Sequence, residues 1–130
     1  MPNPTIKFHQ PTICDQIRRE DNGKLFYIGV YGSSINVEKL PTDLQVFISI
    51  PVETKEKSPF YFELRIKYGK RTIAIGRADV EVEQTGDALV IVPEVLLKDL
   101  EHPDVLTFAV RLDKGRWKTI RSIPVYLLEG

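Results

Sequence analysis

The chain has 130 residues, and its 18 Lys and Arg residues balance its 18 Asp and Glu residues. This length suits a single domain, 1–130, with a core large enough to need no disulfide or metal. The balanced charge argues against a nucleic-acid partner held by bulk phosphate neutralisation. It also gives no reason to expect an anionic membrane surface as a partner.

Cys14 is the single cysteine, so the chain cannot form an internal disulfide. A lone thiol is compatible with a reducing compartment. The N-terminal residues lack the basic and apolar regions of a signal peptide, and no stretch approaches the roughly 20 apolar residues that span a bilayer. These features predict a soluble cytoplasmic protein.

The first third of the chain predicts three strands. A short edge strand is expected over 5–8, and a second strand over 12–20 runs into the hairpin signal Asp21-Asn-Gly23. The third, 24–35, is apolar on both faces, which is typical of a strand in the middle of a packed all-β domain. One face would carry Phe26, Ile28 and Val30, and the other Leu25, Tyr27 and Tyr31.

The middle third contains the clearest alternation. Apolar residues alternate over 44–52, where Pro51 predicts that the hydrogen-bond ladder stops or faces an edge. The pattern over 60–68 predicts one buried face and one wet face. Apolar residues change parity along 71–82, which predicts a bulge or bend at Gly76.

The last third contains an apolar run, 88–92, that predicts a fully buried strand. Residues 93–103 break the rhythm, and one or two helical turns or a packed loop are expected there. Strands over 106–112 and 117–128 flank a hairpin turn at 113–116, and a bulge is expected near 122–124.

Eight or nine strands with at most one short helix predict an all-β fold. We expect an antiparallel two-sheet sandwich with an immunoglobulin-like topology and no inter-sheet disulfide. A closed barrel is the alternative. Strands that carry proline imply open edges, which favours the sandwich.

Candidate catalytic groups are sparse. Cys14 with His9 could form a nucleophile and base, with Asp15 orienting the imidazole. A small buried structural cysteine is the more common situation. No spacing typical of metal ligands occurs, and the acidic row Asp79, Glu81 and Glu83 is better explained as the wet face of a sheet. The sequence predicts no cofactor.

Two groups of residues are candidate ligand or partner sites. A charged cluster includes Asp15, Arg18 and Arg19, which could latch the first hairpin or bind a charged ligand. Phe47 and Tyr61 oppose the buried faces of strands that could be neighbours. An exposed aromatic pair would suit a sugar ring or a partner protein, unless the segment 93–103 covers both rings.

The run Ile13-Cys-Asp-Gln-Ile-Arg18, followed by Gly23-Lys-Leu and Ile28-Gly-Val-Tyr31, resembles the N-terminal part of a family of small bacterial proteins known only as a domain of unknown function. The later strands match it as generic sandwich patterning. The resemblance implies a bacterial or phage origin and a stand-alone cytoplasmic domain. It implies no catalytic residues.

Three functional hypotheses follow. The first is a non-enzymatic module that binds a protein partner or self-associates through its open strand edges. The second is a domain that binds a small, carbohydrate-type ligand through Phe47 and Tyr61. The third is a small enzyme that uses Cys14, either with His9 or with the Asp15 and Arg18 cluster.

Overall fold

The computed structural model describes residues 6–55, 59–81 and 86–128, which form ten strands and no helix. In chain order the strands are β1 (Ile6–Phe8), β2 (Thr12–Arg19), β3 (Leu25–Val30), β4 (Ile35–Val37), β5 (Thr42–Thr54), β6 (Phe60–Tyr68), β7 (Arg71–Val80), β8 (Gly86–Leu100), β9 (Asp104–Leu112) and β10 (Lys118–Leu127). The count exceeds the expected eight or nine because β4 is a separate strand.

The strands form two sheets. The first sheet contains β1, β2, β3, β5 and β8, and the second has the order β4-β10-β9-β6-β7. All pairs are antiparallel except β4 and β10. One apolar core includes Ile13 and Ile48 from the first sheet and Phe62 and Phe108 from the second. The predicted all-β, two-sheet architecture is confirmed.

The strand β5 lies in the middle of the first sheet. On one side it pairs with β1 and β2, which follow each other end to end, and on the other side it pairs with β8 up to Thr54. The prediction that the ladder stops or faces an edge at Pro51 is therefore wrong. The Pro51 carbonyl accepts a hydrogen bond from the His9 amide at 2.9 Å, in the interval between β1 and β2. The N–H and C=O of a strand residue point to the same side of the strand. The side on which Pro51 lacks an N–H is therefore the side facing the interval between β1 and β2, where the ladder is interrupted.

The strand β3 lies at the edge of the first sheet, where β2 is its neighbour. Phe26, Ile28 and Val30 are 55%, 42% and 55% exposed. The predicted central position of this stretch is wrong, and its last residue, Ile35, begins the separate strand β4 in the second sheet. The residues 21–23 do form the expected hairpin loop, with the amide of Gly23 donating to the Glu20 carbonyl at 2.9 Å.

The strand β8 continues through the segment where a helical turn or loop is expected. Two register shifts against β5 absorb Pro93 and the residues with positive φ, Glu94 (53°) and Asp99 (59°). The helix or loop prediction is therefore wrong for 93–100, whereas 101–103 do form a loop between β8 and β9. The run 88–92 is also not fully buried, because β8 lies at the edge of the sheet and Leu89 is 43% exposed.

Two predicted bulges occur in the expected strands but at other residues. In β7 the shift lies at Ile73, between residues opposite Ile66 and Lys67, while Gly76 pairs regularly with Leu64. In β10 the shift falls between Thr119 and Arg121 rather than near 122–124. A change in the alternation of apolar residues shows that a strand contains a break, but it does not identify the residue at which the break occurs.

The two sheets are tied together at Arg121 of β10. Its guanidinium donates to the carbonyls of Pro11 at 2.9 Å, Tyr31 at 3.3 Å and Gly32. Burial lowers the pKa of this guanidinium. Phe8 also crosses between the sheets and meets Phe62 edge to face, with 5.0 Å between ring centroids. Charge-assisted hydrogen bonds and aromatic packing therefore hold the beginning of the chain against β10 and β6.

Gly69 provides a test of the geometry of the β6–β7 turn. It has φ of 60°, and a Cβ there would lie 2.2 Å from Oδ2 of Asp104. We expect Gly69→Ala to lower the free energy of unfolding by more than about 1 kcal/mol. Urea denaturation followed by circular dichroism measures the change.

Gly76→Ala is the matched control, since a Cβ at Gly76 meets nothing within 4 Å. It should leave stability unchanged or raise it by up to about 1 kcal/mol. Equal effects of the two substitutions would contradict the turn geometry.

Candidate functional site

Cys14 is fully buried in β2, where it lies opposite Val30 of β3 and Phe47 of β5. Its Sγ lies 3.5 Å from the Gln16 carbonyl and 3.8 Å from the Phe47 carbonyl. Burial raises the pKa of the thiol. The exposed His9 places Nε2 3.9 Å from Oε2 of Glu53. The thiol therefore has the environment of a structural cysteine rather than that of an activated nucleophile.

The predicted charged cluster does not converge on one point. Oδ1 of Asp15 accepts a hydrogen bond from the Tyr31 hydroxyl at 2.8 Å. Burial, together with this bond, raises the pKa of Tyr31 to about 12. Arg18 and Arg19 are exposed and succeed each other along β2, so they point to opposite faces. Within the described residues, no ion pair joins either arginine to a carboxylate.

Phe47 and Tyr61 lie in different sheets, Phe47 on β5 and Tyr61 on β6. The expectation that their strands are neighbours is therefore wrong. Both residues are half-buried. Because β5 and β6 bury their opposite-parity residues in the shared core, these two rings do not form one continuous aromatic surface.

Tyr61 already has polar partners on the outer face of the second sheet. The Arg77 guanidinium lies 3.9 Å from its ring centroid, and Arg77 also pairs with Asp79 at 3.0 Å. The Tyr61 hydroxyl donates to Oδ1 of Asp113 at 2.9 Å, and this bond raises the pKa of Tyr61. A guanidinium therefore covers ring surface that a sugar would need for stacking.

Trp117 forms a second arginine–aromatic group on the same sheet. The guanidinium carbons of Arg65 and Arg111 lie 4.4 Å and 4.5 Å from its ring. Arg111 also donates to both carboxylate oxygens of Glu63, at 2.9 Å and 3.3 Å. This group was not predicted from the sequence. The one feature of the sequence that points to this group is the alternation over 60–68, which places Glu63 and Arg65 on the outer face of the sheet.

A cleft of about 440 Å³ lies beside the β6–β7 turn. Nε2 of His102 is 3.6 Å from Oδ2 of Asp104, and the Tyr68 hydroxyl donates to the His102 carbonyl. The walls also carry Lys70, Arg71 and Glu101, so charges of both signs line this cleft. A lining with charges of both signs gives no preference for an anionic or a cationic ligand.

A second cleft, about 310 Å³, lies between β1 and the β9–β10 hairpin and is lined by both sheets. Among the residues that the structure describes, its charged lining residues are all basic. Its walls are formed by Ile6, Lys7, Phe8, Val110, Arg111, Leu112, Gly115, Arg116 and Lys118. This cleft, which we name the basic cleft, was not predicted because its residues come from opposite ends of the chain.

Residues 6–55, 59–81 and 86–128 contain neither a candidate metal-ligand cluster nor a candidate membrane-spanning helix. In these ranges no three His, Cys, Asp or Glu side chains are grouped so that they could hold a metal ion. Asp79 is paired with Arg77, Glu81 is exposed, and Glu83 lies outside the described residues. The same ranges contain no helix with the length and apolar character needed to cross a membrane.

Comparison with known proteins finds no matching family model and no similar curated protein. The resemblance to small bacterial proteins of unknown function therefore stays a prediction.

The burial of Cys14 predicts an inert thiol. In the native protein, iodoacetamide should alkylate Cys14 at least about tenfold more slowly than in urea, because the thiol is inaccessible and its pKa is raised. Mass spectrometry of timed samples measures the two rates. Equal rates would show that Cys14 is accessible and would revive the nucleophile hypothesis.

The raised pKa of Tyr31, caused by burial first and by the hydrogen bond to Asp15 second, predicts a loss of stability at alkaline pH. An unfolded tyrosine loses its proton near pH 10, whereas the native pKa of Tyr31 is about 12. Between these values the native state binds more protons, so the free energy of unfolding falls as pH rises. Tyr31→Phe should reduce this fall, as measured by urea denaturation at pH 8 and pH 11. Tyr126→Phe, at a residue that is 53% exposed, is the control and should leave the fall unchanged.

Proposed function

We propose that this domain is a non-enzymatic module that acts by protein contact, and that its β3 edge pairs with β3 of a second copy. The observation that carries the proposal is the row of three exposed apolar side chains, Phe26, Ile28 and Val30, on a six-residue edge strand. Apolar side chains on an open strand edge favour strand addition. The buried free Cys14 is compatible with a cytoplasmic location.

The backbone of β3 offers hydrogen-bonding groups for such pairing. The Glu20 amide donates to the Lys24 carbonyl at 2.8 Å, which identifies these residues as a hydrogen-bonded pair. Because such pairs alternate along an antiparallel ladder, Phe26 and Ile28 direct their backbone groups toward β2. Leu25 and Tyr27 then direct theirs toward the open edge.

The order of side chains along β3 is self-complementary. A twofold axis at Ile28 places Phe26 opposite Val30 of the second copy and Ile28 opposite itself. All three exposed apolar side chains of each copy then meet apolar neighbours, with the largest opposite the smallest. This match favours a second copy over an unrelated partner, since one strand supplies both sides of an isologous contact.

The expected dimer is weak. Standard interfaces bury about 800 Å² per partner, and a six-residue strand provides only part of such an area. We therefore expect self-association that depends on concentration rather than a permanent dimer.

Carbohydrate binding receives less support. Phe47 and Tyr61 are half-buried in separate sheets, and Arg77 lies over the Tyr61 ring. A sugar platform would need an accessible aromatic face.

The test substitutes Ile28, the central residue of the apolar row. Ile28→Lys should keep the fold, because Ile28 is 42% exposed, and should abolish self-association by placing like charges opposite each other. Sedimentation velocity over a wide concentration range measures the oligomeric state. In the parent protein, hydrogen exchange of the Tyr27 amide should slow as concentration rises.

Ile75→Lys is the matched control, because Ile75 is 61% exposed on β7 at the edge of the second sheet. It should leave the dimer intact. A parent protein that stays monomeric at every concentration, or a dimer that Ile28→Lys leaves unchanged, would refute the proposal.

A further inference from the structure

The basic cleft combines apolar walls with a cationic rim. Phe8 and Val110 are buried at its floor, and Ile6 and Leu112 are half-buried beside them. These side chains come from β1 of the first sheet and β9 of the second. The cleft therefore opens directly onto the apolar core, and it can bury an apolar group of a ligand.

Of the residues described by the structure, four basic ones and no acidic one line this cleft. Arg111 is already engaged, with Glu63 as its ion-pair partner and Trp117 against its guanidinium. Arg116 and Lys118 are exposed, and no ion pair involves either of them in the described part of the chain. In a chain whose charges balance to zero, this is a local excess of positive charge.

Asp113, the acidic residue of the β9–β10 hairpin, is not among the residues that line the cleft in the described part of the chain. Asp113, at the start of the turn, accepts the hydrogen bond of the Tyr61 hydroxyl on the outer face of the sheet. The only acidic residue of the hairpin turn is thus committed to another partner. On β1, Lys7 lies in register with Glu53, whose carboxylate is close to His9.

Gly115 contributes to the shape of the cleft. Its amide donates to the Leu112 carbonyl at 2.7 Å, and a Cβ at this residue would lie 2.9 Å from that carbonyl oxygen. The tight turn therefore favours glycine, and the absence of a side chain leaves room at the wall that Gly115 forms.

We propose that the basic cleft binds a small amphiphilic carboxylate, with its acyl chain against Phe8 and Val110 and its carboxylate at Arg116 and Lys118. The apolar floor disfavours small, fully polar anions, and the rim disfavours amphiphilic cations. A volume of about 310 Å³ lies at the small end of the range for ligand pockets, which suits a single medium-length chain. This site shares no residue with the β3 edge.

The test uses decanoate as the probe, below its micelle concentration, with isothermal titration calorimetry of the full chain. Decanoate should bind at one site, and acetate and decyltrimethylammonium should each bind at least tenfold more weakly. Acetate carries the charge without the chain, and decyltrimethylammonium carries the chain with the opposite charge. Raising the salt concentration should weaken decanoate binding.

Charge-reversal substitutions test whether decanoate binds in the basic cleft. The double substitution Arg116→Glu and Lys118→Glu should weaken decanoate binding at least tenfold, and both residues are exposed, so the fold should persist. Arg19→Glu with Lys24→Glu is the matched control at the β2–β3 hairpin and should leave affinity unchanged. No decanoate binding, equal binding of decyltrimethylammonium, or unchanged affinity after reversal at 116 and 118 would each overturn the proposal.

Discussion

The long strand β5 is the element on which the positions of the other strands depend, because its backbone and its side chains serve different partners. Its hydrogen bonds hold β1 and β2 on one side and β8 on the other. Its inward side chains Val46, Ile48 and Ile50 are fully buried against the second sheet. Each buried aliphatic side chain of this kind contributes about 1.5–3 kcal/mol. The edge strands β1 and β8 pair directly with this central strand, and the edge strand β3 is placed through β2.

Properties that depend on neighbours along the chain could be predicted from the sequence. Alternation over 60–68 identifies a strand with one buried face, which the structure confirms as β6. The strand predicted over 106–112 is confirmed as part of β9. Which strand lies beside which is set by pairings far apart in sequence. Two apolar faces on 24–35 are equally compatible with a central strand and with an edge strand whose apolar side chains are exposed. Local pattern therefore could not exclude the edge position of β3.

The same limit explains what could be predicted of the candidate sites. Parity correctly placed Phe47 and Tyr61 away from the most buried faces of their strands, but it could not show that the strands belong to different sheets. The basic cleft depends on β1 meeting the hairpin between β9 and β10. No short-range pattern joins Lys7 to Lys118. Trp117 likewise gains its arginine partners only through the pairing of β6 with β9.

A comparison of the strand edges shows why β3 differs from the others. Natural sheets protect their edges with very short strands, bulges and charged side chains. Here β4 has three residues, β8 has two register shifts, and β7 has one shift together with the Arg77–Asp79 pair. By contrast, β3 pairs with β2 without a register shift, although Gly29 within it has a positive φ of 68°, and it exposes apolar side chains at three alternate residues. An edge that lacks these protections, in a sheet whose other edge has them, is the one best suited to contact with another chain.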